Sequence, residues 1–384
     1  NNLKNYIVSY VGYQNDTLSV SSVSPKIFLR PDTELEEVSL EYNSKSSSVS
    51  LLSSANIINI SSEELLKAAC CNLAESFETT PSIDVNFSDA ISGRKQINML
   101  GLSSPNILMS VENIPSIRGA LQSYGLTYIP GTWIESMQVA KGSGSVVNGY
   151  ESISGQINTE LRKPLTDDKF FLNLFANAME RLELNAHYTS NLNNKLDHGL
   201  YFHTNKKATS ADNNNDGFRD SPTGEQLNIL NRFQYTNLDK GLVGFFDFNY
   251  VFDERVYGEN EYIDGIIFAE NQNYWGGKTD SEILKINFKF GYVDPMITYR
   301  SLGLQFAYTG IDMGSSFGFR NHDTKQTSIY SNLVYNSIIG DTRSKIKTGI
   351  SLTYDEFDEF IFNNNPSLNN FEISRIEKSI GAYF

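Results

Sequence analysis

The chain has 384 residues, a net charge of −14, 24 Phe and 21 Tyr, and only 40% hydrophobic residues. The acidic balance argues against a phosphate-backbone binder, which needs a basic patch. The aromatic-rich but moderately apolar composition suits many half-buried strands better than a helical bundle.

Residues 1–40 contain short β-like runs, Tyr6–Gly12 and Lys26–Leu29, and then the acidic stretch Asp32–Leu40, which together predict the end of a small β-sandwich. Residues 41–55 are Ser-rich and aperiodic, as a linker would be. The chain begins at Asn1 with no signal peptide, so its natural start is expected to have been removed. A helix signal follows: Ser61 and Glu64 form a capping box, Leu66, Cys70, Leu73 and Phe77 share one face, and Pro81 ends the run. Cys70 and Cys71 make neither a disulfide framework nor a CxxC metal site, and Cys70 on the apolar stripe reads as a buried thiol.

From residue 165 to residue 384 the sequence alternates with period 2. Gly244, Phe246, Phe248, Tyr250 and Phe252 alternate with Asp247, Asn249 and Asp253, and Leu284, Ile286, Phe288 and Phe290 alternate with Lys285, Asn287 and Lys289. Ten strands are predicted, near 168–176, 180–190, 196–206, 226–236, 242–253, 281–293, 301–312, 326–337, 344–354 and 371–384. Short links at Asn191–Lys195, Asn237–Gly241 and Ile338–Arg343 interleave with long ones at Lys207–Glu225, Glu254–Asp280, Met313–Lys325 and Asp355–Asn370. Short turns on one side and long loops on the other mark an outer-membrane β-barrel with one greasy face. No apolar run reaches the ~18 residues of a spanning helix, so insertion has to be by strands.

Residues 56–164 resemble the plug of TonB-dependent receptors. The likeness rests on Leu73–Val85, Gly93–Gly101, Ile134–Gly142, Ser145–Gly149 and Gly155–Asn158, with Gly93, Gly101, Pro130, Gly131, Lys141, Gly142, Gly149, Gly155 and Asn158 as the motif positions. Leu100 stands where the common form has Arg. Residues 1–40 are similar to the carboxypeptidase-regulatory-like domain that one branch of the family carries, which makes Glu36, Glu37 and Val38 the expected TonB contact. The resemblance implies a mostly β chain: a β-sandwich remnant, an α+β plug, and about ten strands of a transmembrane antiparallel barrel whose remaining strands lie outside this sequence. It further implies residence in the outer membrane and import driven by TonB and its inner-membrane complex. The substrate would be a ferric siderophore or another metal chelate, with glycan, peptide or copper import as alternatives and a passive porin or adhesin as more distant ones.

No HExxH, GxSxG or GxxxxGK[ST] motif occurs, so neither an enzyme nor a resident organic cofactor is expected. His187 and His203 fall on the lumen parity and His198 on the opposite one, which leaves at most a His187–His203 pair. Asp212, Asn214, Asp216 and Asp220 around Gly217 resemble the start of a calcium loop without its later Glu, since Thr223 stands at that place.

Overall fold

The computed structural model describes residues 5–9, 16–19, 47–49, 57–61, 72–77, 83–89, 91–262, 274–364 and 367–384. The chain divides into two compact units, Asn1–Lys45 and Ser46–Phe384. In the first, β1 (Asn5–Val8) pairs antiparallel with β2 (Asp16–Ser19). The expected TonB contact at Glu36, Glu37 and Val38 lies outside the described residues, as do Cys70 and Cys71.

The second unit opens with a six-stranded sheet containing β3 (Ser47–Val49), β4 (Ile57–Ser61), β8 (Ile107–Val111), β9 (Ile114–Pro115), β10 (Ile134–Lys141) and β11 (Gly155–Leu161), in the order β3-β4-β10-β11-β8-β9. A smaller sheet joins β5 (Asp84–Phe87), β6 (Lys95–Met99) and β7 (Leu102–Ser103). Part of the expected linker is therefore strand: Ser47–Val49 pair with Ile58–Ile60 at the sheet edge. An edge strand needs only one bonded neighbour, so a polar, aperiodic triplet can serve.

Only Leu73–Ser76 of the expected helix is described, as α1. Its cap is Asn72, whose side chain accepts the Glu75 N–H at 3.1 Å, while Ser61 closes β4. Leu73 and Phe77 are buried as the periodicity requires, packed with Ile60, Ile97, Met99, Met137, Val139 and Ile157. Each such side chain contributes roughly 1.5–3 kcal/mol of burial. Gly155 permits this packing, because a Cβ there would lie 2.5 Å from the Met99 sulfur.

Ten strands then form one antiparallel meander in sequence order: β12 (Phe170–Ala176), β13 (Arg181–Asn193), β14 (Leu196–Lys207), β15 (Thr223–Asn237), β16 (Leu242–Gly258), β17 (Gly276–Val293), β18 (Ser301–Phe317), β19 (Arg320–Ile339), β20 (Asp341–Asn363) and β21 (Phe371–Tyr383). The aromatic parity is as read from the sequence. Phe246, Phe288 and Phe306 are direct cross-strand neighbours on the outer face, and all are exposed. Phe248 is 41% exposed, whereas the adjacent Asp247 is 4% exposed and turned toward the plug.

The loops differ from expectation on one side. The supposed loop Met313–Lys325 is mostly ladder, since β18 runs to Phe317 and β19 starts at Arg320 with a two-residue turn between them. Likewise β20 continues through most of the supposed loop Asp355–Asn370. At about 3.3 Å per residue the 23 residues of β20 extend to about 75 Å, far beyond a bilayer span of ~9–11 residues. Outside the bilayer the outer face need not be apolar. Glu356 and Asp358 interrupt the outer alternation of β20 before Phe360 and Phe362, so the apolar period does not run unbroken along the strand.

This geometry sets a depth-dependent expectation. Phe248→Arg, near mid-bilayer, should destabilise the lipid-inserted fold by ~2–4 kcal/mol, and Phe360→Arg, on the extended part of β20, by less than about 1 kcal/mol. Urea titration of folding into lipid vesicles measures both. Equal penalties at the two positions would contradict the assigned bilayer depth.

Candidate functional site

The inner face of the ten-stranded sheet carries the alternate residues of each strand, and on β15 these are Gln226, Asn228, Leu230, Arg232 and Gln234, all buried. They are buried because residues within 112–165 lie against them, so each polar group needs a partner there. Gln226 Nε2 donates to the Thr127 carbonyl at 3.1 Å and Asn228 Nδ2 to the Tyr128 carbonyl at 2.6 Å. Tyr128 Oη donates to Ser281 Oγ at 3.1 Å, and Arg255 donates to Thr127 Oγ1 at 2.7 Å while covering the Tyr124 ring. The apolar part of this contact packs Leu121, Tyr124 and Tyr128 against Val251, Ile283, Ile311 and Met313.

Nearer the end of the sheet that bears the turns 194–195, 238–241 and 340, the contact is ionic. Glu112 and Asn113 both take positive φ, 56° and 62°, to reverse the chain between β8 and β9. That turn brings the Glu112 carboxylate to 3.0 Å from Arg232 Nη2 and 2.5 Å from Lys289 Nζ, while Oε1 accepts the Leu161 N–H at 2.9 Å. Asp247 lies 3.2 Å from Arg232 Nε, which completes a neutral quartet of two cations and two carboxylates. Burial alone would raise the Glu112 pKa, but Arg232 and Lys289 outweigh it and hold the group at about 2. Phe245 sits under both cations, 5.0 Å from the Arg232 guanidinium and 5.3 Å from Lys289 Nζ.

A second clasp lies further along the wall. Arg118 bridges Glu151 at 2.7 Å and Asp355 at 2.8 Å. Ser328 donates to Asp355, and Gln326 donates to Ser328 while its carbonyl accepts the Ala120 N–H at 2.9 Å. Gly119, at φ +59°, passes so close that a Cβ would lie 2.4 Å from the Gln326 amide oxygen. Above this contact, toward the long-loop end, residues 119–124 form the floor of a cavity of about 400 Å³ walled by β17 to β21.

The motif residues read from the sequence are distributed through the domain rather than gathered at one point. Gly93 sits against Pro222, and Gly101 follows the exposed Leu100 in the turn between β6 and β7. Leu100, in the place of the familiar Arg, is exposed at that turn. Pro130 bridges to Asn72, Gly131 opens a short 3-10 turn, and Lys141 ends β10. Gly142 donates to the Ser154 carbonyl, and Gly149 closes another 3-10 turn. Asn158 is buried and accepts the Asn113 N–H at 2.7 Å, which supports the Glu112 turn from beneath.

His187 and His203 are buried on the inner face but face Tyr201 and Asn185 across the ladder, not one another. His203 Nδ1 bonds Asn185 at 2.8 Å, and His187 lies 3.4 Å from Asp167. In the loop, the Asp212 carboxylate accepts N–H groups of Asp216 and Gly217, Asp216 accepts that of Phe218, and Asp220 accepts from Asn213; Asn214 bonds Asp216. Those bonds join the carboxylates to the loop's own amides. Among the described residues no group of three or more His, Cys, Asp or Glu side chains is placed to hold a metal ion.

The residues that sequence reading missed are Glu112, Arg232 and the partnership of Asp247 and Lys289 with them. Parity puts Asp247 and Lys289 on the inner face. No local signal links Glu112 to a lysine 177 residues away.

Residues 50–156 match the family model described as TonB-dependent Receptor Plug Domain. The whole chain is similar in fold to the alcaligin outer-membrane receptor FauA of Bordetella pertussis, at TM-score 0.63 and 10% identity over 92% of this chain and 53% of that one. The copper transporter OprC matches at TM-score 0.65 and 14% identity over 88% and 52%, and the unliganded ferric citrate transporter FecA at 0.61 and 11% over 87% and 54%. The chain spans about half the length of these structures.

Glu112→Gln should loosen the plug by ~3–5 kcal/mol, because it removes one charge of a buried set and leaves two cations facing Asp247 alone. The carboxylate's stabilisation is complete above its ordinary value of 4.5 and is lost as pH falls through about 2. Hydrogen exchange across residues 107–115 should accelerate in the variant at pH 7 and in the wild type only under strong acid. Unchanged exchange in the variant would show that the quartet does not hold the plug.

Proposed function

We infer that this outer-membrane chain, which carries a TonB-dependent receptor plug and has the fold of such receptors, takes part in energy-dependent import of a scarce nutrient. The substrate is a ferric siderophore or another metal chelate, and TonB with its inner-membrane complex supplies the work. One observation carries the reading: a folded domain occupies the inner face of the sheet and is fastened there by the Glu112, Arg232, Asp247 and Lys289 quartet. A passive pore needs an open lumen. A lumen filled by a domain held through buried charges passes solute only when something pulls those contacts apart, which calls for an external energy source.

The short-turn end is taken as periplasmic and the long-loop end as external. Substrate then meets the cavity above residues 119–124 before it meets the quartet. The proteins of similar fold include an alcaligin receptor, a ferric citrate transporter and a copper transporter, and the last two support a metal-containing substrate. A bare copper ion would need soft donors. Met313 and His322 both line the cavity, but His322 is engaged by Glu359 at 3.1 Å and by Thr324.

TonB engagement is assigned to Asp32–Leu40, with Glu36, Glu37 and Val38 at its centre, through strand addition in which main-chain bonds give affinity. Deleting residues 32–40 should leave substrate binding at the cell surface unchanged and reduce uptake to background. Radiolabelled chelate measured at 0 °C for binding and at 37 °C with respiring cells for uptake separates the two. Uptake at the wild-type rate in the deletion variant would disprove energised import through that segment.

A further inference from the structure

We propose that a small cavity between the plug and strands β16 to β18 holds one monovalent inorganic anion, chloride or a halide of similar size, between the Lys285 ammonium and the Trp133 indole N–H. Lys285 lies near the middle of β17 on its inner face, with Asn249 and Thr309 as cross-strand neighbours that border the same cavity. Its Nζ donates to Ser116 Oγ at 3.1 Å, and no carboxylate lies within ion-pair range among the described residues. Glu112 and Asp247 also border the cavity, but they are committed to Arg232 and Lys289, and those four charges already sum to zero. Lys285 is therefore a surplus positive charge between plug and wall. The serine hydroxyl takes one of its three hydrogens and none of its charge.

Trp133 supplies an independent observation. The residue is 3% exposed, and its Nε1–H has no acceptor among the described residues. An indole nitrogen can only donate, as can an ammonium, so both groups call for a partner that only accepts. A buried donor without an acceptor is rare in folded proteins and marks a place where an ion or a water belongs.

The cavity has a volume of about 50 Å³, enough for one small ion or a few waters. A small-molecule site needs roughly 300–1,000 Å³, so the occupant is limited to an ion of one or a few atoms. Charge decides between ion and water. Water would accept from both donors and leave the cation unmatched among Val111, Ile114 and Leu230, whereas an anion accepts the same hydrogens and cancels the charge. Ser116 and Trp133 belong to the plug and Lys285 to the wall. An anion between them fastens one to the other, and its concentration then sets part of the plug's stability.

The test uses the full-length receptor in lipid vesicles, with chloride exchanged for gluconate at constant ionic strength. Hydrogen exchange across residues 107–116 and 128–134 should slow by on the order of tenfold once chloride reaches about ten times its dissociation constant. Lys285→Met, which keeps the length and removes the charge, should abolish the chloride dependence. Trp133→Phe should weaken chloride binding by on the order of tenfold, and Lys206→Gln, at the exposed end of β14, should leave it intact. Crystals of the unaltered receptor grown in bromide give a readout that needs no variant: an anomalous peak within hydrogen-bond distance of Lys285 Nζ and Trp133 Nε1. Equal exchange in chloride and gluconate, a chloride effect that survives Lys285→Met, or bromide crystals with no peak at Lys285 would each overturn the proposal, the last by leaving water as the occupant. Import is not the readout, so its assignment stands or falls separately.

Discussion

A polar inner wall that is nonetheless buried is the constraint from which most of this structure follows. Strand alternation that turns Phe246 and Phe248 outward must turn Asp247 inward, and once the plug covers that face every inward polar group needs a partner. The plug supplies carbonyls at Thr127 and Tyr128 for Gln226 and Asn228, and a carboxylate at Glu112 for Arg232 and Lys289. Fit between the two parts is thus chiefly a matter of hydrogen bonds and charge, with the apolar contact of Leu121, Tyr124 and Tyr128 at one end.

That kind of interface combines a seated domain with contacts that water can replace. An apolar interface of the same extent would expose greasy surface on both parts when they separate. A polar one can be rehydrated, so each broken bond is partly replaced by water. The Glu112 quartet is the exception. Removing one charge from it leaves the others buried and unmatched, which concentrates resistance at a single turn whose backbone sits at positive φ and is supported by Asn158.

The two ends of the sheet differ in the same physical terms. Where the outer face must meet lipid it is aromatic and regular. Past that band β18, β19 and β20 continue as paired strands and raise a wall around the cavity floor at residues 119–124. Gln326 and Gly119 meet at that floor, and the chain of contacts through Ser328, Asp355 and Arg118 returns from the wall to the plug at Glu151.

The period-2 pattern and the loop lengths determined ten antiparallel strands and their outward face, because alternation is a local property written residue by residue. The plug was legible as a resemblance, carried by positions such as Gly155 and Asn158 whose neighbours the chain itself dictates. Local pattern failed where no local rule operates: at β3, a polar edge strand inside an apparent linker, and at the long ends of β18 and β20, where Asp312 on one and Glu356 and Asp358 on the other interrupt the apolar outer face. Only the tertiary structure decided that Glu112 meets Arg232 and Lys289, that Arg94 and Arg375 share one cavity, and that the aspartates of the 212–220 loop bind its own amides. Those pairings join residues more than a hundred positions apart, or choose among equally polar partners, and the choice is made by how the plug seats against the wall.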